Sequence, residues 1–204
     1  MILCWFATGE DHIELAKVSA NVAKHVSPSL HRLLITFDDV QLNEFDEVRK
    51  VESGPLMLRR MQEQMRLLKE GKTCLFLDSD IVVNKPINKY DAFVKLAWRE
   101  PPKGAEGQCY CGGLIYADGH LAVPLYEEML HMYEDLPEHL HKWWGDQLCL
   151  AACAPKYEVD GSIFENWHYV PESKPEKLLD ADFVHFKGPR KKWFFDYANL
   201  RLKA

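Results

Sequence analysis

The chain has 204 residues and a formal net charge of −6, and 47% of its residues are hydrophobic. This length and apolar content suit one α/β domain with a substantial core, and no repeat or low-complexity segment interrupts the sequence. The negative net charge gives no overall attraction to phosphate backbones, so a nucleic-acid partner is not expected.

The N-terminal part of the chain predicts alternating strands and helices. Residues 2–8 form an apolar run typical of a buried strand, and apolar residues at helical spacing follow over 15–26. A second strand is predicted over 32–37, with Asp38 in an exposed turn after it. A helix whose apolar stripe covers 58–68 then leads into a third strand. This alternation indicates the opening of a nucleotide-binding α/β fold.

The third strand runs directly into Asp78-Ser79-Asp80 and leaves through the apolar residues 81–83. On a strand, residues two apart project to the same face, so Asp78 and Asp80 are predicted to direct oxygens at one point. The carboxyl ends of strands are where open α/β sheets bind ligands, and paired carboxylates suit Mg²⁺ or Mn²⁺. The alternative is a turn at the end of the strand with two solvated aspartates.

The remaining elements are predicted from the same patterns. Strands are expected over 93–98 and 108–117, joined by a loop over 101–107 that we expect to move near a ligand. Helices are expected over 123–136 and 143–154, whereas the periodicity fades between the second helix and the C-terminal region. These elements complete an α/β pattern.

The cysteines and the first residues bear on the compartment. The six cysteines mostly lie in apolar runs, where free cysteine behaves as a small buried hydrophobe. A zinc site from Cys109, Cys111, Cys149 and Cys153 would need Cys-x-Cys and Cys-x-x-x-Cys spacings that are unusual for zinc, so structural thiols are favoured. Residues 1–7 are too few for a signal peptide or a membrane span. We therefore expect a cytoplasmic protein.

A second motif near the C-terminus identifies a family resemblance. His185 opens the string His-x-x-Gly-x-x-Lys-x-Trp, which contains Gly188, Lys191 and Trp193. Together with the Asp-x-Asp, this string resembles glycosyltransferase family 8, the glycogenin and lipopolysaccharide galactosyltransferase group. Members usually have Lys-Pro-Trp here, whereas this chain has Lys192 in place of the proline.

The resemblance implies a fold and a reaction. The fold would be a single GT-A domain over 1–204, with a mixed, mostly parallel central sheet flanked by helices. Its nucleotide-binding half would cover about 1–90 and its half for acceptor and sugar about 91–204. The reaction would be a hexosyl transfer from a nucleotide-diphosphate sugar, with UDP the usual nucleotide, and with retained anomeric configuration.

The resemblance also implies ligands. Asp78, Asp80 and His185 would hold Mn²⁺ or Mg²⁺, while Gly188 and Lys191 would contact the diphosphate. Further donor-binding positions implied by the family are Thr8 and Asp11 with His12 at the base and ribose, Arg59 at the sugar or acidic site, Ser79, and Gly112 and Gly113 beside the sugar. For Asp11, a carboxylate favoured by the helix dipole is an equally good interpretation. Arginines such as Arg59 are more often solvated.

Two positions would act on the sugar itself. Asp146 and Gln147 match the Asp-Gln of the family, whose side chains face the sugar and the attacked carbon. Either could orient the sugar or stabilise positive charge on it, and the alternative for Gln147 is a helix-surface amide. The family's Asn near 111–113 is absent, which removes an expected hydrogen bond to the donor.

Two other functions remain open from the sequence. Asp-x-Asp-x-Val after a strand also resembles the haloacid dehalogenase phosphatases, in which Asp78 would be a nucleophile, but their motif usually follows the first strand. A nucleotide-sugar-binding protein without turnover is the other alternative.

The acceptor is expected to be a glycan, a lipid or a protein. Basic and aromatic residues over 187–203 are compatible with contact to an anionic membrane that carries a lipid acceptor, and the donor site itself explains most of these residues equally well. Of the nine histidines, only His185 lies in a motif, and the others are predicted to have surface or packing roles.

Overall fold

The computed structural model describes residues 1–98, 109–141, 144–157, 159–160 and 166–204. The predicted loop over 101–107 lies outside the described residues, as do the first residue of the strand predicted over 108–117 and Trp143 of the helix predicted over 143–154.

The described chain alternates strands and helices. Its strands are β1 (Ile2–Phe6), β2 (His31–Thr36), β3 (Glu47–Lys50), β4 (Thr73–Leu77), β5 (Ile81–Val83), β6 (Val94–Trp98), β7 (Tyr110–Asp118), β8 (Val159–Asp160), β9 (His168–Tyr169) and β10 (Phe183–His185). Its α-helices are α1 (Glu10–Val26), α2 (Leu56–Lys69), α3 (Val123–Asp135), α4 (Gly145–Cys153) and α5 (Phe194–Leu202). The predicted strands and helices are present, and their ends lie within two residues of the predicted ones, except that α1 begins five residues before the apolar spacing over 15–26.

The chain forms two compact units, each assembled from separate stretches. The β1 unit comprises Ile2–Val51, Leu77–Lys89 and Phe164–Ala204. The β7 unit comprises Met1, Glu52–Phe76 and Tyr90–Ile163.

In the β1 unit, three parallel strands lie in the order β3-β2-β1. The first residue of β1, Ile2, is opposite His31 of β2. Strands β5, β10 and β9 form a separate small sheet, in which β10 is antiparallel to β5 and parallel to β9. Helix α1 carries the buried Ser19, which accepts from Trp5 Nε1 at 3.0 Å and donates to the carbonyl of Ile81 at 2.5 Å. This buried polar chain links β1 to β5 through the helix.

A buried asparagine organises the C-terminal part of the β1 unit. Asn84 follows β5 and donates from Nδ2 to the carbonyls of Leu179 and Ala181, at 2.6 and 2.8 Å. Tyr197 of α5 donates its hydroxyl to Asn84 Oδ1 at 3.0 Å, and Arg201 Nε donates to the carbonyl of Asn84 at 2.8 Å. Since buried polar groups need partners, this network fixes α5 and the segment before β10 against the end of β5.

In the β7 unit, four strands lie in the order β4-β7-β6-β8. Strand β6 is antiparallel to β7 and parallel to β8, so this sheet is mixed. Helix α2 buries Met57, Met61 and Leu68. The predicted stripe of Leu58, Met61, Met65 and Leu68 was therefore wrong at Leu58 and Met65, which are only half-buried because the buried face is rotated toward Met57.

The fold class is thus mixed α/β, with a mixed sheet flanked by helices, as expected. The GT-A fold and the single domain over 1–204 stay predictions. Among the described helices, none combines the length and the apolar character that a membrane span requires.

Candidate metal site and a buried ion pair

The Asp-x-Asp motif lies in a turn between β4 and β5. Asp78 follows the last residue of β4, and the amide of Ile81 donates to the carbonyl of Asp78 at 3.3 Å. The prediction that Asp78 and Asp80 project to the same face of one strand was therefore wrong. The carboxylates of Asp78 and Asp80 approach each other because the chain turns at Ser79 before it enters β5.

Strand pairing brings His185 to these carboxylates. In the antiparallel ladder of β5 and β10, His185 is opposite Ile81, and the amide of Phe186 donates to the carbonyl of Asp80 at 2.9 Å. His185 Nε2 lies 3.0 Å from Asp80 Oδ1 and 3.7 Å from Asp78 Oδ2. One ligand atom from each of the three residues lies within 4.8 Å of the others. The three residues could hold a metal ion.

The donor set and its spacing fit a divalent cation. At a metal–ligand distance of about 2.1 Å, two ligands at right angles are about 3.0 Å apart, as Asp80 and His185 are. Carboxylate oxygens with one imidazole nitrogen suit Mn²⁺ well. The His185 side chain is 1% exposed and that of Asp80 is 8% exposed, whereas that of Asp78 is 32% exposed. The cluster is therefore buried on one side and accessible on the Asp78 side.

Positive charge surrounds Asp80. Lys191 Nζ lies 3.6 Å from Asp80 Oδ2, on a short 3₁₀ segment that begins at Gly188, whose φ is 56°. Burial by itself would raise the pKa of Asp80, but the charge and hydrogen bond of His185 and the charge of Lys191 lower it overall. Asp80 is therefore ionised at neutral pH, which is the state that a metal ligand requires.

Two histidines without a sequence motif contact this cluster. His168 Nε2 and His185 Nδ1 share a hydrogen bond of 3.0 Å, and His12 Nδ1 and Ser79 Oγ share one of 3.2 Å. His12 was already expected at the carboxyl end of β1, whereas no sequence signal singled out His168. The pairing of β9 with β10 could not be predicted from two strand residues in a segment without periodicity.

Asp38 organises the carboxyl ends of β1 and β2. Its Oδ2 accepts from the Thr8 hydroxyl at 2.7 Å, from the Gly9 amide at 2.9 Å and from the Thr36 hydroxyl at 3.1 Å. These bonds, led by that of Thr8, lower the pKa of Asp38. Thr8 therefore lies where it was predicted, while Asp38, expected only in an exposed turn, is its partner. Asp11 is exposed in the first turn of α1, a position that fits both the helix-dipole interpretation and the donor-binding one.

The predicted catalytic pair lies in the β7 unit beside a largely buried arginine, Arg60. Asp146 Oδ2 accepts from Arg60 Nη2, and Asp146 Oδ1 accepts from the backbone amide of Gln147 at 2.9 Å. Arg60 Nη2 also donates to the carbonyl of Gly112 at 3.2 Å. The side chains of Asp146 and Arg60 are 5% and 12% exposed. Arg60 of α2 thus contacts both Asp146 of α4 and the backbone of β7.

Gly112 is small because side chains of the chain itself occupy the space beside it. A Cβ atom there would lie 2.9 Å from Gln147 Cγ and 3.1 Å from Arg60 Nη2. This contact accounts for the glycine, and the approach of a ligand to its backbone stays a prediction. Gly113 follows in the buried interior of β7. Gln147 Oε1 is buried and has no hydrogen-bond partner among the described residues.

Arg60, and not the neighbouring Arg59, contacts Asp146, while a contact of Arg59 with the donor sugar stays a prediction. Arg59 Nη1 donates to Gln62 Oε1 at 3.2 Å, and its Nη2 lies 3.9 Å from the exposed Glu52. Adjacent residues of a helix point about 100° apart, so which of the two arginines faces Asp146 depends on the rotation of α2 about its axis. The sequence alone does not give this rotation.

The cysteines behave as structural thiols. None of the six is paired in a disulfide, and five are buried. Burial raises the pKa of Cys149 to about 12, so this thiol is protonated at neutral pH. Among the described residues, the groups of side chains that could hold a metal ion do not combine Cys109, Cys111, Cys149 and Cys153, which disfavours the zinc interpretation.

Comparison with known proteins adds no family. No protein-family model matches the chain, and no curated protein matches it. The resemblance to glycosyltransferase family 8 therefore stays a prediction from the motifs.

Proposed function

We propose that the chain is a metal-dependent glycosyltransferase of the hexosyltransferase type, which moves a sugar from a nucleotide-diphosphate donor, expected to be a UDP-sugar, to an acceptor. The observation that carries the proposal is the meeting of Asp78, Asp80 and His185 with Lys191 beside them. Retention of anomeric configuration is part of the proposal through the family resemblance.

In this proposal the β1 unit binds the nucleotide diphosphate. A bound Mn²⁺ or Mg²⁺ supplies positive charge to the departing diphosphate. Lys191 contributes a fixed positive charge of its own, and its exposed fraction of 34% leaves its ammonium group accessible to a ligand. Gly188 begins the segment that presents Lys191 and is proposed to contact the diphosphate with its backbone.

The base and ribose are proposed to lie at the carboxyl ends of the parallel strands β1 and β2, where open α/β sheets bind ligands. Thr8, Asp11, His12 and Ser79 are the side chains assigned to them. Asp38 holds Thr8 in one orientation, which supports a preformed surface.

In the β7 unit, Asp146 and Gln147 are proposed to act on the sugar. Arg60 orients the Asp146 carboxylate through their ion pair, and the buried Gln147 Oε1 is an acceptor that a sugar hydroxyl would satisfy. Asp146 would then stabilise positive charge on the sugar, while Gln147 would orient it.

The acceptor is proposed to be a glycan, a lipid or a protein, with peripheral contact to an anionic membrane. Phe195 is exposed on α5, and Lys192 Nζ lies 5.2 Å from the ring centroid of Trp193. Basic and aromatic side chains of this kind suit a headgroup layer.

The test is a thermal-shift panel of UDP, GDP, ADP and CMP, with and without Mn²⁺, on the wild type and Asp80→Asn. A ligand that binds only the native state raises the melting temperature, so UDP should stabilise the wild type in the presence of Mn²⁺ and not Asp80→Asn. The matched control is Asp39→Asn, because Asp39 is an exposed aspartate of the same unit, and it should respond like the wild type.

The absence of any nucleotide-dependent shift in the wild type would contradict the proposal. Hydrolysis of small phosphate esters that depends on Asp78 would replace it with the phosphatase alternative. If UDP binds, screening UDP-sugars for hydrolysis identifies the donor sugar, and complete absence of turnover would leave a binding protein.

A further inference from the structure

The proposed function assigns no role to His168, although its ring contacts His185 of the candidate metal site. Strand β9 is parallel to β10, with His168 opposite Phe183. From there the His168 ring extends along the strand to His185, with Nε2 3.0 Å from His185 Nδ1 and the two ring centroids 5.3 Å apart. The rings are nearly perpendicular, at 74°, so a nitrogen of one ring meets a nitrogen of the other without stacking.

The two nitrogens of His185 thus face different partners. Nε2 faces Asp80 and Asp78, while Nδ1 faces His168. A neutral imidazole carries its proton on one nitrogen only, and a nitrogen that ligates a metal must present its lone pair. Coordination through Nε2 therefore requires the proton on Nδ1, and the acceptor for that proton is His168 Nε2.

We propose that His168 is a positioning residue for the metal ion, whose Nε2 accepts the Nδ1–H of His185 and holds that ring in the tautomer and orientation needed for coordination through Nε2. This inference rests on the metal-binding part of the proposed function. Ligating histidines almost always donate their second ring N–H to a fixed partner, and loss of such a partner typically weakens metal binding 10–100-fold.

Packing does not explain His168. The neighbouring Trp167 anchors this segment, because its ring is buried edge-on against Phe183 at a centroid distance of 5.8 Å. The amide of Phe183 donates to the carbonyl of Trp167 at 2.9 Å. His168 is only half-buried, so replacing its side chain leaves these anchoring contacts in place.

The inference extends to the choice of metal. An imidazole ligand suits Mn²⁺ better than Mg²⁺, which prefers oxygen ligands and retained waters. If His168 keeps His185 competent as a ligand, its loss should reduce Mn²⁺ affinity more than Mg²⁺ affinity. A purely structural role would weaken both ions equally.

The experiment measures Mn²⁺ affinity from the electron paramagnetic resonance signal of free Mn²⁺, and Mg²⁺ affinity by competition. The variants are His168→Leu, which removes the acceptor, and His168→Gln, whose amide oxygen can replace it. The control is His25→Leu, since His25 is an exposed histidine on α1 of the same unit. Melting temperatures without metal verify that each variant is folded.

We expect His168→Leu to bind Mn²⁺ about 10–100-fold more weakly than the wild type, with a smaller loss for Mg²⁺. His168→Gln should recover most of the affinity, and His25→Leu should match the wild type. Unchanged Mn²⁺ affinity in folded His168→Leu overturns the inference, as does an equal loss for the two ions.

Failure of the inference is distinguishable from failure of the proposed function. If the wild type binds Mn²⁺ and His168→Leu does not, yet UDP never binds, the role of His168 stands and the transferase proposal fails. If the wild type takes up no Mn²⁺ at any concentration below those that bind nonspecifically, both fail.

Discussion

Two buried aspartates, one in each unit, are paired with cations in opposite ways. Asp80 lies between His185 and Lys191, beside the partly exposed Asp78, so its cluster has an accessible side. Asp146 is paired with the guanidinium of Arg60 and with a backbone amide, and both members of that pair are almost fully buried. Histidine can lose its proton and ligate a metal, whereas arginine stays charged. The Asp80 cluster can therefore take up a metal ion in place of the imidazole proton, whereas the Asp146 carboxylate keeps the guanidinium of Arg60 as its partner.

Removal of Arg60 should produce the largest loss of stability. Arg60→Met leaves the buried Asp146 carboxylate without its cation, so we expect the free energy of unfolding to fall by about 3–5 kcal/mol. Urea denaturation measures this. The matched control is Arg59→Met, which removes an arginine of the same helix whose side chain is 37% exposed, and it should cost less than about 1 kcal/mol. Equal losses would show that the Arg60 pair is no more important than a surface contact.

Replacement of Asp80 should weaken metal binding, whereas replacement of Asp146 should not. Asp80→Asn should weaken Mn²⁺ binding by at least about 100-fold, because it removes a charged ligand from the cluster. Asp146→Asn should leave Mn²⁺ affinity within about twofold, since Asp146 contributes no ligand. Calorimetric titration with Mn²⁺ compares the two. A large loss in Asp146→Asn would contradict the separate roles assigned to the two carboxylates.

The hydrogen-bond network at Asn84 supports the cluster around Asp80 and not the pair of Asp146 and Arg60. Tyr197→Phe removes a hydroxyl that donates to Asn84 and accepts from the amide of Leu179 at 3.0 Å, so we expect a loss of about 1–2 kcal/mol in stability. Tyr169→Phe, at an exposed position of the same unit, should change stability by less than about 0.5 kcal/mol. Thermal unfolding measures both, and similar melting temperatures for the two variants would argue against the network.

Asp38 is a third kind of carboxylate, held mainly by neutral donors. Its pKa is lower in the folded chain than the ordinary 3.8, so the unfolded chain binds the proton more readily. Its contribution to stability is therefore present above the ordinary pKa and lost as the pH falls through the folded pKa. Asp38→Asn should show a smaller drop in melting temperature between about pH 6 and about pH 3 than the wild type. The control is Asp39→Asn, because Asp39 is exposed, and an identical acid response in all three proteins would refute the assignment.

Local patterns were enough to predict most elements and part of the candidate site. The apolar run of β4, the helical spacing in α1 and the position of Asp78 and Asp80 after β4 depend on neighbours within a few residues. Thr8 likewise follows β1 closely. Arg60 was missed because the rotation of α2 about its axis depends on what it packs against. His168 was missed because the two residues of β9 form a strand only by pairing with β10.

The sequence by itself determined that the chain alternates strands and helices, buries its cysteines and carries an Asp-x-Asp between two apolar strands, since periodicity and transfer free energy act over short stretches. Only the tertiary structure decided that the two aspartates lie in a turn, that Arg60 and not Arg59 meets Asp146, and that His168 meets His185. Arg60 and Asp146 are 86 positions apart in the sequence, and His168 and His185 are 17 positions apart. Their geometry depends on strand pairing and helix rotation, which are settled by packing across the whole unit rather than by local preference.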